Sequence, residues 1–366
     1  MEDRQPKYRL LKQQIEGWLQ AGKYRADEQL PSENELASEF GLSRQTVRQT
    51  IGELVRDGLL YRVHGKGTFA ASSARAGAVG GTAVGMITTY ISDYIFPHLV
   101  RGAEAELRSR GCGLLLSSTD NSKEAEREGL ERMLAHPVKG LIVEPTRSAQ
   151  GNTNLDLYVR LQLDGIPLVM INERYPDLDC PCVKVDDEAG GHAAAAHLLR
   201  LGHTRLAGLF KTDDMQGTRR LQGMLRACRE HGLTPEPDRL VLYASEDKAT
   251  KPAAAARRLL ELPEGERPTA LVCYNDELAV QLVDLALGLG LSVPDELSVV
   301  GFDDSQLALA GPVKLTTLSH PKAELGARAA RLLLDLADGG PPPPQEQLVY
   351  APELIERGST APWNGK

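Results

Sequence analysis

The sequence predicts an α/β chain in two parts. An N-terminal winged helix-turn-helix comes first, then a two-lobed body of doubly wound parallel sheets. Three observations predict it. Residues 43–56, SRQTVRQTIGELVR, carry an apolar stripe at helical spacing behind a cluster of polar side chains. A small-residue stretch at 71–81 has no core pattern. From residue 82 onward, short apolar runs alternate with helical patterns, the grammar of parallel sheets with helices on both faces. These place a winged helix-turn-helix head at 1–70, a linker at 71–81 and a body at 82–366. The chain has 366 residues, 42% hydrophobic and 25% charged, enough for two or three domains and a large core.

In the head, Tyr8, Leu11, Ile15 and Leu19 form one stripe, so the spacing predicts a helix over 7–21. Ser32 followed by Glu35 is a capping box that opens a second helix. Leu36 and Phe40 supply its apolar face, and Gly41 ends it. Ser43 is a good N-cap for the third helix, whose Val47, Ile51, Leu54 and Val55 face a core. Arg44, Gln45, Thr46, Arg48 and Gln49 crowd its first two turns, with Arg44 and Arg48 one turn apart on a shared face. These residue types suit base recognition: Arg reads guanine bidentately, Gln reads adenine, and the Thr methyl touches thymine. The helix N-terminus meanwhile sits near phosphate. A lone amphipathic helix with two arginines is ordinarily a solvated surface helix; the helix-turn-helix frame changes that reading. After Gly58, Leu60–Val63 and Thr68–Ala70 alternate like two strands around the basic turn His64-Gly65-Lys66-Gly67, which reads as a wing.

The net charge of −8 argues against nucleic acid until it is divided. Residues 1–70 hold 11 basic and 10 acidic residues, and the remainder holds 31 and 40. Within 43–67, five basic residues face two acidic ones. The positive charge is thus local, sufficient for phosphate contacts, while the acidic body limits non-specific binding.

The segments LPSENEL, SRQTVR, DGLL and HGKGTF resemble the GntR family of bacterial repressors without a gap over residues 7–70. The resemblance implies a head that binds double-stranded DNA. It places the contacts on Ser43, Arg44, Gln45, Thr46 and Arg48, on His64 and Gly65 in the wing, and on Lys7 and Glu33 near the first helices.

In the body, apolar runs at 83–87, 113–116, 140–143, 167–171, 206–210, 270–273 and 297–300 read as buried parallel strands. Helical patterns lie between them at 96–110, 123–135, 188–201, 215–231 and 275–289. Ligands of such sheets bind beyond the carboxyl ends of the strands, so the residues there are the candidates. They are Tyr90, Asp93 and Tyr94, then Glu144, then Asn172, then Asp186 after Val183-Lys184-Val185. Further along stand Lys211, Arg220, Asn275, Asp303 and His320. Carboxylates, amides, an Arg and tyrosines gathered at one edge suit a polyhydroxylated ligand, because each hydroxyl both donates and accepts and a tyrosine face can pack on C–H groups. Any one of them is as readily a helix cap or a surface turn, Asp304 and Asp187 above all.

Val185-Asp186-Asp187 with Gly190-Gly191, Tyr274-Asn275-Asp276-Glu277 and PDELSVVGFDD at 294–304 resemble the sugar sensors of the LacI and ribose-binding type over roughly residues 83–355. That family has a periplasmic-binding-protein-like fold. The resemblance implies inducer contacts at Asn275, Asp303, Arg220, Asn172 and the loop around Asp93. A GntR-type head on a LacI-type body is similar to bacterial repressors of arabinose utilisation. The resemblance therefore implies a homodimeric repressor released from its operator by L-arabinose, with no cofactor, no metal and no enzymatic activity. Another pentose or a nucleoside is the alternative inducer. The Gly-rich linker has no counterpart of the LacI hinge helix, so minor-groove insertion does not carry over.

The remaining signals are bland. The N-terminus lacks an apolar run and no stretch reaches 18 apolar residues, so the chain reads as cytoplasmic and without a membrane span. Five cysteines, an odd number, fit reduced thiols, and Cys180-Pro181-Cys182 reads as a loop rather than a metal site. His192 and His197 read as surface and packing residues of one helix, and Pro341–Pro344 as a stiff connector before a last strand.

Overall fold

The computed structural model describes residues 7–20, 22–25, 28–56, 59–63, 67–70, 83–363 and 365. The expected linker at 71–81, Gly58, and His64 and Gly65 of the wing turn lie outside them. The chain divides into two compact units.

In the first unit, helices α1 (Lys7–Gln20), α2 (Glu33–Phe40) and α3 (Arg44–Arg56) precede strands β1 (Leu60–Val63) and β2 (Gly67–Ala70). Ser32 caps α2 as expected: its hydroxyl accepts the Glu35 N–H at 3.3 Å and the Glu35 carboxylate accepts the Ser32 N–H at 2.7 Å. Gly41 ends α2 in the left-handed region at φ 59, a conformation that excludes most side chains. Leu11, Ile15, Trp18, Leu36, Val47, Ile51 and Leu54 bury together with Leu60 from β1. Helical spacing in three helices thus makes one core. The strands pair antiparallel from Leu60↔Ala70 to Val63↔Gly67, and Gln29 bridges to Phe69 beside them.

The second unit has two lobes. The first contains β3 (Ala83–Thr88), α4 (Phe96–Ser109), β4 (Gly113–Ser118), α5 (Lys123–Leu134), β5 (Val138–Val143), α6 (Leu155–Leu163), β6 (Leu168–Ile171) and β7 (Cys182–Val185). The chain then crosses to α7 (Asp187–Arg200), β8 (Leu206–Lys211), α8 (Met215–Glu230), β9 (Leu240–Tyr243), α9 (Lys251–Leu260), β10 (Ala270–Cys273), α10 (Asp276–Gly288) and β11 (Ser298–Val300). A short α11 (Leu307–Ala310) and β12 (Thr317–Leu318) follow. Helix α12 (Lys322–Ala337) returns to pack along α4. Strand β13 (Val349–Tyr350) joins the first sheet beside β7, and β14 (Leu354–Ile355) pairs with β12. The sheets run β13-β7-β6-β5-β3-β4 and β11-β10-β8-β9. Three crossovers, at Asp186, at 319–321 and at 351–353, therefore join the lobes. Both sheets present their carboxyl ends to the gap between them.

Close helix packing positions the second lobe's wall. A Cβ on Gly191 of α7 would lie 2.0 Å from the Arg220 carbonyl oxygen of α8, and one on Gly223 would lie 2.0 Å from that of Glu188. Only glycine permits this approach, which sets α8 and its Arg220 against α7.

The structure corrects two expectations. Strand β4 is the sheet edge, with Gly113 and Leu115 exposed, not a buried strand. An apolar run without alternation does not distinguish an edge from a centre. Asp187 and Asp304 are not caps. The α7 cap is Asp186, whose carboxylate accepts the Ala189 N–H at 2.9 Å. Asp304 instead accepts from the Arg357 guanidinium at 2.7 Å. Helices α6, α9 and α12 and strand β9 were not among the patterns read from sequence.

Candidate nucleic-acid face and inter-lobe cleft

On the head, Ser43 accepts the Thr46 N–H at 3.1 Å and so caps α3. Its hydroxyl also meets that of Thr46 at 2.8 Å. The candidates Ser43 and Thr46 are thus committed in part to the helix itself. Arg44, Gln45 and Arg48 are exposed, while Val47, Ile51 and Leu54 of the same helix are buried. The Arg48 Nε donates to the Glu33 Oε2 at 3.0 Å, tethering α3 to α2 and joining two candidates. With Arg48 69% exposed, such a pair is worth about 0–1 kcal/mol, so it orients the side chain more than it stabilises the fold. Lys7 opens α1.

In the body, ten candidates line one cavity of about 510 Å³ between the lobes: Tyr90, Asp93, Tyr94, Glu144, Asn172, Lys211, Arg220, Asn275, Asp303 and His320. Its size suits a small-molecule site. The eleventh, Asp186, does not line it, because the first turn of α7 needs an acceptor one residue before the helix and takes that carboxylate. Asp187, Asp214, Gln216, Tyr243 and Tyr274 line the cavity but were not selected from sequence. Asp187 and Asp214 sit at helix starts and carry the same signal as caps, which hid them.

The first lobe's wall rests on Glu144, 4% exposed. Its Oε2 accepts the Thr89 N–H at 2.9 Å and the Thr89 hydroxyl at 2.6 Å, and its Oε1 accepts the Asn172 amide at 2.7 Å. Burial pushes its pKa up, with these hydrogen bonds opposing. Asn172 spends its Nδ2 there, and its buried Oδ1 has no hydrogen-bond partner among the described residues. An amide so held presents an acceptor to a hydroxyl. Beneath this wall lies a carboxylate that sequence reasoning missed. Fully buried Glu126 accepts the Thr146 N–H at 2.8 Å and the hydroxyls of Tyr175 at 2.8 Å and Tyr158 at 3.0 Å. It fixes the loop after β5 that carries Glu144. On paper it is one acid among several in a charged helix.

The second lobe's wall centres on Arg220. Its Nε donates to Asp187 at 2.7 Å, one terminal nitrogen donates to the Tyr274 carbonyl at 2.6 Å, and the other stands 3.5 Å from Asp303 Oδ1. Its guanidinium lies 3.5 Å from the Phe302 ring centroid. Burial would lower the Arg220 pKa, but Asp187 and Asp303 hold it above its ordinary range. Burial lifts Asp187 to about 6, with Arg220 restraining the rise, so it remains anionic at neutral pH. Burial opposes the charge of Lys211 as well, yet Asp214 at 3.0 Å and Asp213 keep its pKa above the usual value. Asp214 also caps α8 and accepts from the Tyr274 hydroxyl at 2.7 Å. Asn275 caps α10 through its Oδ1, accepting the Leu278 N–H at 3.0 Å. The Gln216 Oε1 and His320 Nδ1 are buried without a hydrogen-bond partner among the described residues. Burial lowers His320 to about 4, so its ring is neutral at neutral pH and offers one donor or one acceptor at that nitrogen.

The cleft therefore interleaves donors (Arg220, Lys211) with acceptors (Asn172, Asp303, Gln216), and Tyr90 stacks edge-on against Phe96 at 5.5 Å. That is a surface for a polar, hydroxyl-rich molecule. Outside it, His192 meets Glu230 at 2.6 Å on the surface, and His197 packs against Thr360 at 3.0 Å. Cys180 and Cys182 are buried, and burial pushes the Cys180 thiol up to about 12, far from a reactive thiolate. No described helix is long and apolar enough to cross a membrane.

Residues 7–70 match the bacterial regulatory proteins of the gntR family, and residues 195–360 match the periplasmic binding protein-like domain. The chain is similar to the arabinose metabolism transcriptional repressor of Geobacillus stearothermophilus, 51% identical, with 97% of this chain and 98% of that one covered. It is also similar to the repressor of the same name from Halalkalibacterium halodurans, 43% identical over 97% and 96% of the two chains. The body resembles the crystal structure of transcription regulator CcpA of Lactococcus lactis, with a TM-score of 0.67, 25% identity and 76% and 99% of the chains covered. It likewise resembles a LacI family regulator from Mycobacterium smegmatis, with a TM-score of 0.64, 28% identity and 77% and 100% covered. These proteins are transcriptional regulators, not enzymes. The chain is a DNA-binding transcriptional repressor, and it belongs to the family of arabinose metabolism transcriptional repressors.

Proposed function

We propose that this repressor responds to L-arabinose, bound in the cleft between its lobes, and that no other cofactor is needed. The observation that carries this is the cleft itself, whose lining includes the buried Arg220 and Asp303 from the second lobe and, from the first, the Asn172 Oδ1, which has no hydrogen-bond partner among the described residues. A pentose offers hydroxyls that donate to one wall while accepting from the other, and satisfying both requires the lobes to be close. The sugar then shifts the population toward closure by its differential affinity for the closed state. The repressor acts in the cytoplasm as a homodimer on a two-fold operator, with Arg44, Gln45 and Arg48 reading base edges. Half-sites of such dimers lie about one DNA turn apart or a multiple of it, so a small reorientation of the heads breaks their register. The names of the two arabinose metabolism repressors that the chain is similar to support the choice of sugar, and the polar lining of the cleft supports its chemical class. Asp186 serves by capping α7, and Asp187 takes the role beside Arg220.

The test is calorimetric titration of the full chain with L-arabinose, D-xylose, D-ribose, D-galactose and a nucleoside, alongside operator binding with and without each. Binding of L-arabinose with loss of operator affinity is the expected result. Binding of a different pentose or of the nucleoside instead would reassign the inducer, and binding of none would remove the cleft reading.

A further inference from the structure

Tyr94 is placed differently from the other aromatic residues of the cleft. It belongs to the first lobe, in the loop between β3 and α4, yet its hydroxyl lies in the second. The hydroxyl donates to Asp303 Oδ2 at 2.6 Å and accepts the Asp276 N–H at 3.1 Å. The Phe302 carbonyl is a farther acceptor at 3.1 Å, and the one phenolic proton goes to the shorter, charged partner. The hydroxyl is therefore committed within the protein and is not a group for a ligand.

Both partners stand on unusual backbone. Tyr94 has φ 58 and Asp303 has φ 97, the left-handed side that non-glycine residues avoid. A residue persists there when its surroundings over-determine it, and such residues gather at binding sites and switches. Here one comes from each lobe and they meet in a single short hydrogen bond. Other contacts join the lobes, including Asn121 to Ser245 at 2.6 Å and Arg219 to Glu173 at 2.7 Å, but these do not involve Asp303. Tyr94 also stands, with His320 and Ser305, between the cleft and a second cavity of about 410 Å³ beside His98 and Lys322. Its ring thus closes the back of the site.

We propose that Tyr94 is a positioning residue that couples lobe closure to the cleft. From the first lobe it holds one carboxylate oxygen of Asp303 in the second, which turns the other oxygen toward Arg220 and the ligand. The carboxylate is oriented for the sugar only when the lobes are together, so binding and closure depend on each other. The inference rests on the reading of the cleft as the effector site.

The test is Tyr94→Phe in the full chain, which keeps the ring and removes the hydroxyl. Two readouts separate the inference from the reading beneath it. Calorimetry with L-arabinose should show about tenfold weaker binding. Hydrogen–deuterium exchange of the sugar-free protein should become faster in peptides covering 301–306, with circular dichroism unchanged. Faster exchange in a protein whose parent binds no L-arabinose would uphold the clasp and remove the sugar. Unchanged exchange with unchanged sugar affinity would overturn the inference. Tyr94→Ala gives a second variant: if it binds sugar as tightly as the parent, Tyr94 positions nothing.

Discussion

Replacing Arg220 with methionine should destabilise the body by about 3–5 kcal/mol at neutral pH, the usual cost of breaking a buried ion pair from one side. Arg220 is 5% exposed and Asp187 is 3% exposed, so neither end can turn to water. Methionine keeps an apolar stem over Phe302 but removes the 2.7 Å partner of Asp187 and the donor to the Tyr274 carbonyl. Burial lifts the Asp187 carboxyl to about 6 even beside the guanidinium, and without that partner it rises further. The sign follows from linkage. A carboxylate whose folded pKa lies above its unfolded value contributes most stability at low pH and loses it as pH rises through the folded pKa. The deficit of the variant should accordingly shrink as pH falls through the variant's raised Asp187 pKa and level off below the parent's value of about 6. Adding Asp187→Asn removes the orphaned charge and should recover much of the loss. The assay is urea unfolding followed by tryptophan fluorescence. The chain has two tryptophans, and Trp18→Phe leaves Trp363 as the reporter of the body. An Arg220→Met body within about 1 kcal/mol of its parent at pH 7, below the range expected for a broken buried pair, would refute the reasoning.

The other predictions address the head, the first-lobe wall and pH. Arg44→Ala or Arg48→Ala should weaken operator binding by about 1–3 kcal/mol, tenfold to a hundredfold by fluorescence anisotropy, and leave sugar titration unchanged. Equal operator affinity in both would remove these arginines from the reading face. Ile51→Ala, at a fully buried position, should destabilise the head by about 2–5 kcal/mol, seen through Trp18, without shifting the body's transition. Glu144→Gln sets an amide N–H against the donors of Thr89 or Asn172 and should weaken sugar binding by about 1–3 kcal/mol; wild-type titration curves would show the wall to be passive. Asp276 is lifted to about 7 by burial and by nearby Asp303, so its stabilising contribution is greatest at low pH and fades as pH rises toward 7. Asp276→Asn should flatten the fall in melting temperature between about pH 5 and pH 8, and an unchanged profile would mean another group sets it.

Much of this protein was legible in its residues. The head was, because its signals are local: Ser32 and Glu35 meet within one turn, Gly41 needs its left-handed φ wherever it sits, and Val47, Ile51 and Leu54 share a face at fixed spacing. The strand ends of the body were also legible, because chemistry placed after an apolar run falls at one edge of any doubly wound sheet. That rule brought ten of the residues chosen from sequence to one cavity. It failed between neighbours. Asp186 and Asp187 are adjacent carboxylates at one helix start, and only the approach of α8 at Gly191 decides which caps and which meets Arg220.

Sequence by itself determined the two-part architecture, the capping and periodicity of the head, and the chemical class of the cleft, because these depend on short-range spacing and residue type. Tertiary structure decided what requires elements far apart in the chain. It made β4 an edge, buried Glu126 under the loop of Glu144, and brought Tyr94 of one lobe to Asp303 of the other, 209 residues away. No local pattern encodes those contacts: the first two depend on how distant segments pack within the first lobe, and the third on where the three crossovers set one lobe against the other.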